Sequence, residues 1–156
     1  MLAMLGTTFA EPVEQEAAKQ QEVTIWVDDI QAIGSFDAED IREDLLREAF
    51  ADAARREKWL GDYDFEYNGS SREEGEVGIE LRVIDWRRSA AGVYQFSVLA
   101  EYWNADGEKT SLGSFHGMRS SIAVFSGWDV GEQFAGSAED AFRDALRKLK
   151  KQTVES

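Results

Sequence analysis

Three consecutive runs of apolar–polar alternation, joined by two short turns, fix the centre of this chain as antiparallel hairpins. Val77, Ile79, Leu81 and Val83 alternate with Gly78, Glu80 and Arg82. Tyr94, Phe96, Val98, Ala100 and Tyr102 form one row of the next run, with Val93, Leu99 and Trp103 on the other. Residues 89–92 (SAAG) make the first turn and residues 104–108 (NADGE) the second, where Asp106-Gly107 is a pair suited to a tight hairpin. A weaker third run over residues 109–125 is broken by Gly113 and Gly117. Within the first run the phase slips at Val83-Ile84, and Ile84 and Trp86 continue on the other parity. A slip of one residue turns every later side chain to the opposite face, which predicts a bulge or bend there.

The flanks complete the architecture. Residues 22–28 (EVTIWVD) set Val23, Ile25 and Val27 against Thr24 and Trp26, a strand with one buried face that ends at Asp28-Asp29 and Gly34. Residues 37–59 predict a helix in which Asp37 caps the free amides, with Asp40 three residues on and Phe36 placed to meet Ile41. Ile41, Leu45, Leu46, Ala49, Phe50 and Ala53 form its apolar stripe; Arg55, Arg56 and Lys58 load its last turn with the sign the helix dipole favours, and Gly61 stops it. Residues 62–67 (DYDFEY) predict a short strand and residues 68–76 a charged loop. Residues 126–136 (SGWDVGEQFAG) read as a Gly-rich loop, after which Ser137, with Asp140 in the reciprocal position, caps a last helix whose stripe is Phe142, Ala145, Leu146 and Leu149. Two amphipathic helices bury their stripes most economically on one face of the sheet. The expected fold is therefore an α+β two-layer sandwich: an antiparallel sheet of four to five strands with two helices on one face. It forms a single domain over residues 22–151, with a disordered tail at 152–156.

Residues 1–10 (MLAMLGTTFA) carry no charge, and every Lys, Arg, Asp and Glu of the 156-residue chain lies after Ala10. An apolar run ending in small residues, with Thr8 and Ala10 where a signal peptidase would read, predicts the tail of a truncated secretory signal. Its charged head is missing, and the competing reading is an ordinary disordered or core-packed start. The run is far short of a membrane span, which needs roughly 20 apolar residues. Residues 11–21 (EPVEQEAAKQQ) read as a flexible lead-in. The formal net charge of -14 repels phosphate, so nucleic acid and anionic lipid are poor partners. The absence of Cys removes disulfides, thiolate metal sites and a Cys nucleophile together.

The sequence contains little that resembles a reaction centre. His116, in GSFHG, is the sole imidazole. It reads either as a lone base beside Ser114 or as a half-exposed strand histidine. The NADG turn does not satisfy a calcium loop, because Tyr102 would take the first ligand position and Gly113 the closing acid position. No nucleotide-binding glycine motif is present, and no cofactor or metal is expected. Asp28 and Asp29 at a strand end would either hold a cation or simply be solvated. The aromatic surplus is the remaining signal. Trp26, Trp86 and Trp103 fall on strands whose opposite parity is also apolar, while Trp128 and Phe134 sit in the Gly-rich loop. These five residues are the candidate partner or ligand surface, against the plainer alternatives of a covered sheet face and buried loop anchors.

The order of elements resembles that of small bacterial envelope proteins, such as the small lipoprotein of the lipopolysaccharide-export machinery and the periplasmic domain of the curli-secretion family. The resemblance is carried by the VTIWVDDI strand, the helix from Asp37 to Trp59 and the YDFEY strand. It continues through the EVGIELRVIDW strand with its two hairpins to the closing SAEDAFRDALRKL helix. It implies a non-enzymatic secreted or periplasmic protein that binds a partner or assists envelope assembly or transport. Many such proteins are tethered by a lipidated Cys; without one, this chain would be free in the periplasm. The alternative is a module that holds an apolar small molecule between helices and sheet, followed by a hydrolase or lyase built on His116.

Overall fold

The computed structural model describes residues 22–29, 39–59, 61–69, 72–120 and 127–154. The chain runs β1 (Val23–Asp29), α1 (Glu39–Arg56), β2 (Tyr63–Tyr67), β3 (Val77–Arg88), β4 (Val93–Trp103), β5 (Lys109–Ser120) and α2 (Gly127–Val154). The five strands form one sheet in the order β2-β1-β3-β4-β5. The expected α+β class holds, but the sheet is mixed rather than antiparallel. β1 pairs in parallel with both β2 and β3, and only β3-β4-β5 form the antiparallel meander. The reason lies in the connections. A helix between two strands carries the chain back to its starting end, so β2 runs in the same direction as β1; short hairpins force reversal further on.

Strand alternation assigns the two faces. Val23, Ile25 and Val27 stand beside Tyr63, Phe65 and Tyr67 on one side and Val77, Ile79 and Leu81 on the other. This face takes the helices. Phe50 of α1 packs its ring 5.6 Å from Phe142 of α2 and 5.1 Å from Tyr63, and Phe142 lies 5.3 Å from Phe96 of β4. All of Phe50, Phe96, Phe142, Ile25, Leu46, Ile79, Leu81 and Leu146 are fully buried. The space between helices and sheet, where an apolar ligand was envisaged, is thus occupied by the chain's own side chains.

The slip at Val83-Ile84 is a β-bulge: the register to β4 shifts between Val83 and Asp85. Its consequence is that Trp86 joins the odd-numbered core row. Trp86 is 6% exposed, with ring contacts of 5.6 Å to both Phe96 and Phe134.

Helix α1 ends without its expected glycine. Lys58 adopts a left-handed φ of 54°, Trp59 N donates to the Ala54 carbonyl at 2.8 Å and Lys58 N to the Arg55 carbonyl at 3.2 Å. This is a Schellman termination with a lysine at the position that glycine usually fills, so Gly61 is not the stop. Lys58→Gly should raise stability by about 0.5–1 kcal/mol, read as a higher urea midpoint, because the left-handed strain outweighs the added backbone entropy. The same end is clasped by α2: Arg143 and Arg147 bond the Glu57 carboxylate at 3.0 Å, and Lys150 donates to the Glu57 carbonyl. Burial would raise the Glu57 pKa, but the hydrogen bonds and charges of Arg147 and Arg143 hold it below its ordinary value.

Helix α2 starts ten residues before the expected cap. Residues 127–136 are its first turns rather than a loop, and Ser137 lies inside it, fully buried, donating to the Phe134 carbonyl at 2.7 Å. Of the glycines that suggested a loop, Gly136 marks close packing: a Cβ there would stand 3.1 Å from the Arg119 side chain, whereas one on Gly131 would meet Leu45 at an ordinary contact distance of 3.7 Å. Tertiary contact here outweighs a helix penalty of about 1 kcal/mol per glycine.

Candidate functional site: an aromatic groove on the open sheet face

The even-numbered residues of β1 face away from the helices. Thr24, Trp26 and Asp28 stand beside Gly78, Glu80 and Arg82 of β3, and Gly78 in turn opposes Trp103 of β4. Gly78 is required here: a Cβ would lie 2.4 Å from the Trp26 ring and 2.0 Å from the Thr24 carbonyl oxygen. The indole of Trp26 therefore lies over Gly78 as a floor, and Trp103 rises beside it.

β2 and β3 flank β1 on opposite sides and run the same way, so the connection between them must cross β1. Arg72 of that connection stands on the open face, with its guanidinium 4.3 Å from the Trp103 ring. Together with Asp28, Glu66, Asn68 and Glu80 these residues line a groove of about 760 Å³. Trp103 Nε1 donates to Glu80 Oε2 at 3.0 Å; Arg82 donates to Glu80 Oε1 at 3.0 Å and pairs with Asp28 at 3.5 Å. Lys109 lies 5.5 Å from the Trp103 ring while bonding Glu101 at 3.0 Å. Trp26 is only 9% exposed, because the groove walls stand around it.

Of the five candidate surface residues, the structure brings Trp26 and Trp103 together at this groove. Trp86 and Phe134 are corrected out of the surface: both are buried among core aromatics, Trp86 through the bulge and Phe134 through its place on α2, 4.8 Å from Tyr94. The Trp128 side chain lies outside the described residues, as do residues 1–21, Phe36 and Asp37. Glu66, Glu80 and Arg72 were missed, because nothing local in the sequence marks a cross-strand carboxylate or a stacked guanidinium.

The two adjacent acids at the end of β1 part company. Asp28 stays half-exposed with Arg82, whereas Asp29 is neither solvated nor free for a cation. Its buried carboxylate takes both Arg42 Nε and Nη2 at 2.7 Å and the Tyr67 hydroxyl at 2.9 Å; Asn68 Oδ1 accepts its backbone amide at 2.7 Å. Burial, then the bond to Asp29, pushes Tyr67 up to about 12. A raised pKa means that the neutral phenol contributes stability fully below pH 10 and loses it as pH rises toward 12. The difference between wild-type and Tyr67→Phe absorbance at 295 nm should show one phenol ionising near pH 12, and unfolding should become easier across the same interval.

His116 is exposed on β5, and its partner is Ser97 across the sheet, Oγ to Nδ1 at 2.8 Å, rather than Ser114. Among the described residues no carboxylate is bonded to its other nitrogen. A second groove of about 620 Å³ lies between α1 and α2, lined by Ile41, Leu45, Ala49, Gly131 and Ala135 with Glu48 and Glu132 at its edge. Ile41, expected in the buried stripe, is 51% exposed there.

Among the described residues no helix is long and apolar enough to cross a membrane, and no cluster of His, Asp and Glu is arranged for a metal ion. No protein-family model matches the chain, and no curated protein matches it significantly. Solved structures do. A Xanthomonas campestris protein with the family label DUF330 aligns with TM-score 0.51 at 14% identity, covering 87% of this chain and 87% of that one. An uncharacterised protein aligns with TM-score 0.48 at 8% identity, over 88% and 93%. A PelC dodecamer from Paraburkholderia phytofirmans aligns with TM-score 0.45 at 14% identity, over 84% and 89%. None carries the name of a lipopolysaccharide-export or curli-secretion protein. At 14% identity the likeness to the Xanthomonas campestris protein is one of fold alone.

Proposed function

We propose that this chain is a non-enzymatic binding protein of the bacterial envelope, secreted or periplasmic, that engages its partner through the groove around Trp26 and Trp103. The observation that carries the reading is the groove itself. A sheet face that bears neither α1 nor α2 keeps two tryptophans beside one another, seated by a glycine and framed by carboxylates. Concave sites with aromatic walls and a few polar groups are the usual form of ligand sites. The uncharged, apolar residues 1–10 support the compartment. Ser97 and His116 do not support catalysis: among the described residues this pair on an exposed strand surface has no orienting acid.

The test has two parts. The full gene product, expressed in a Gram-negative host, should appear in the osmotic-shock fraction; recovery only in cytoplasm overturns the compartment. Envelope extract added to the purified protein should shield Trp103 from acrylamide quenching, seen as the difference between wild type and Trp103→Phe. No shielding by any fraction, with the fold intact by circular dichroism, removes the groove as the binding surface.

A further inference from the structure

We propose that the open-face groove receives an organic cation, an ammonium or guanidinium group, and that Arg72 occupies that seat in its absence. The proposal rests on the groove being the ligand surface, and it names the chemistry of the ligand.

The Trp103 ring already accepts positive charge, from the Arg72 guanidinium at 4.3 Å and the Lys109 ammonium at 5.5 Å. A tryptophan face is the strongest aromatic seat for a cation. The two cations differ in how they are held. Lys109 is anchored by Glu101 at 3.0 Å. Arg72 makes no ion pair among the described residues, and its Nη1 is buried without a hydrogen-bond partner. An unmatched buried donor is costly, so Arg72 is a poor tenant of a good seat.

The groove also holds a carboxylate that Arg72 does not use. Asp28 and Glu80 share Arg82, but Glu66 pairs with no cation among the described residues. A mobile ammonium would keep the contact with the ring and gain Glu66. The room exists, since about 760 Å³ far exceeds one guanidinium. The net charge of -14 draws cations toward the chain and repels anions. A neutral polyhydroxyl ligand would use the groove differently. It would take its donor from Arg72 Nη1, and losing Arg72 would weaken it.

The sign of the Arg72→Ala effect therefore decides the matter. Tryptophan fluorescence and calorimetry would follow titration with tetramethylammonium, spermidine, an uncharged disaccharide and a lysine-rich peptide. The peptide arm separates a protein-borne cation from a free one, and binding in either arm supports the proposal. Arg72→Ala should bind the cations about 3–10-fold more tightly than wild type, Arg72→Lys should stay near wild type, and Glu66→Gln should lose about 3-fold. Trp103→Leu should lose most of the affinity in both backgrounds. Unchanged or weaker cation binding by a folded Arg72→Ala overturns the proposal. If the disaccharide binds and Arg72→Ala weakens it, the cation assignment falls while the groove stands as a ligand site. If no probe binds either protein, both fall.

Discussion

Replacing Arg42 with alanine should cost about 3–5 kcal/mol of folding stability, the range observed when one partner of a buried ion pair is removed. Arg42 and Asp29 have side-chain exposures of 3% and 0% and meet through two 2.7 Å contacts. The guanidinium also lies 4.9 Å from the Trp86 ring, so truncation loses packing as well as charge. Burial alone would lower the Arg42 pKa; the hydrogen bond and charge of Asp29 more than reverse this and hold the guanidinium pKa above its ordinary value. The cost of Arg42→Ala arises from the carboxylate left behind, so the double variant Arg42→Met with Asp29→Asn should cost well under the sum of the single changes. Urea unfolding of the single and double variants at pH 8 measures both effects. A loss below about 1 kcal/mol at pH 8 would show that the pair does not hold β1 to α1.

The second large effect is expected at Gly117 on β5. A Cβ there would lie 1.7 Å from the Ser137 carbonyl oxygen and 3.1 Å from the Ala141 amide nitrogen, both backbone atoms of α2. Neither can rotate away, so Gly117→Ala must lift the helix from the sheet. The expected loss is about 3 kcal/mol, the upper part of the overpacking range. Because Phe142, Ala138 and Ala145 travel with α2, near-ultraviolet circular dichroism should weaken more than the far-ultraviolet helix signal. Gly113→Ala is a useful contrast. It meets no atom within 4 Å, so its penalty is confined to backbone strain at a φ of 114°.

How far the sequence could be read depended on whether a feature was local. The β3-β4-β5 meander, its two turns and the bulge after Val83 were legible because alternation and turn chemistry act between neighbours. The partners of β1 were not, since alternation states which face of Ile25 is buried and nothing about which strand lies beside it. The first turns of α2 were hidden by Gly127, Gly131 and Gly136, and the fit of Gly136 appears only when Arg119 is placed against that helix. Trp86 follows the same slip into the core row, which is legible only when parity is counted through the bulge. At the groove, Trp26 and Trp103 were visible as surplus aromatics on two-sided strands. Arg72 was not, because its stack on Trp103 joins residues far apart in the chain.

The position of β1 has a consequence for how the chain reaches this state. It is the first strand to be made, yet both of its hydrogen-bonded neighbours come later, one after a helix and one after a further crossing. A nascent chain cannot complete the pairing of β1 with β3 until residue 83 has emerged, and Ile25 and Val27 stay wet until then. Until then β1 is an unpaired apolar strand at the head of the growing chain, open to mispairing and to chaperones.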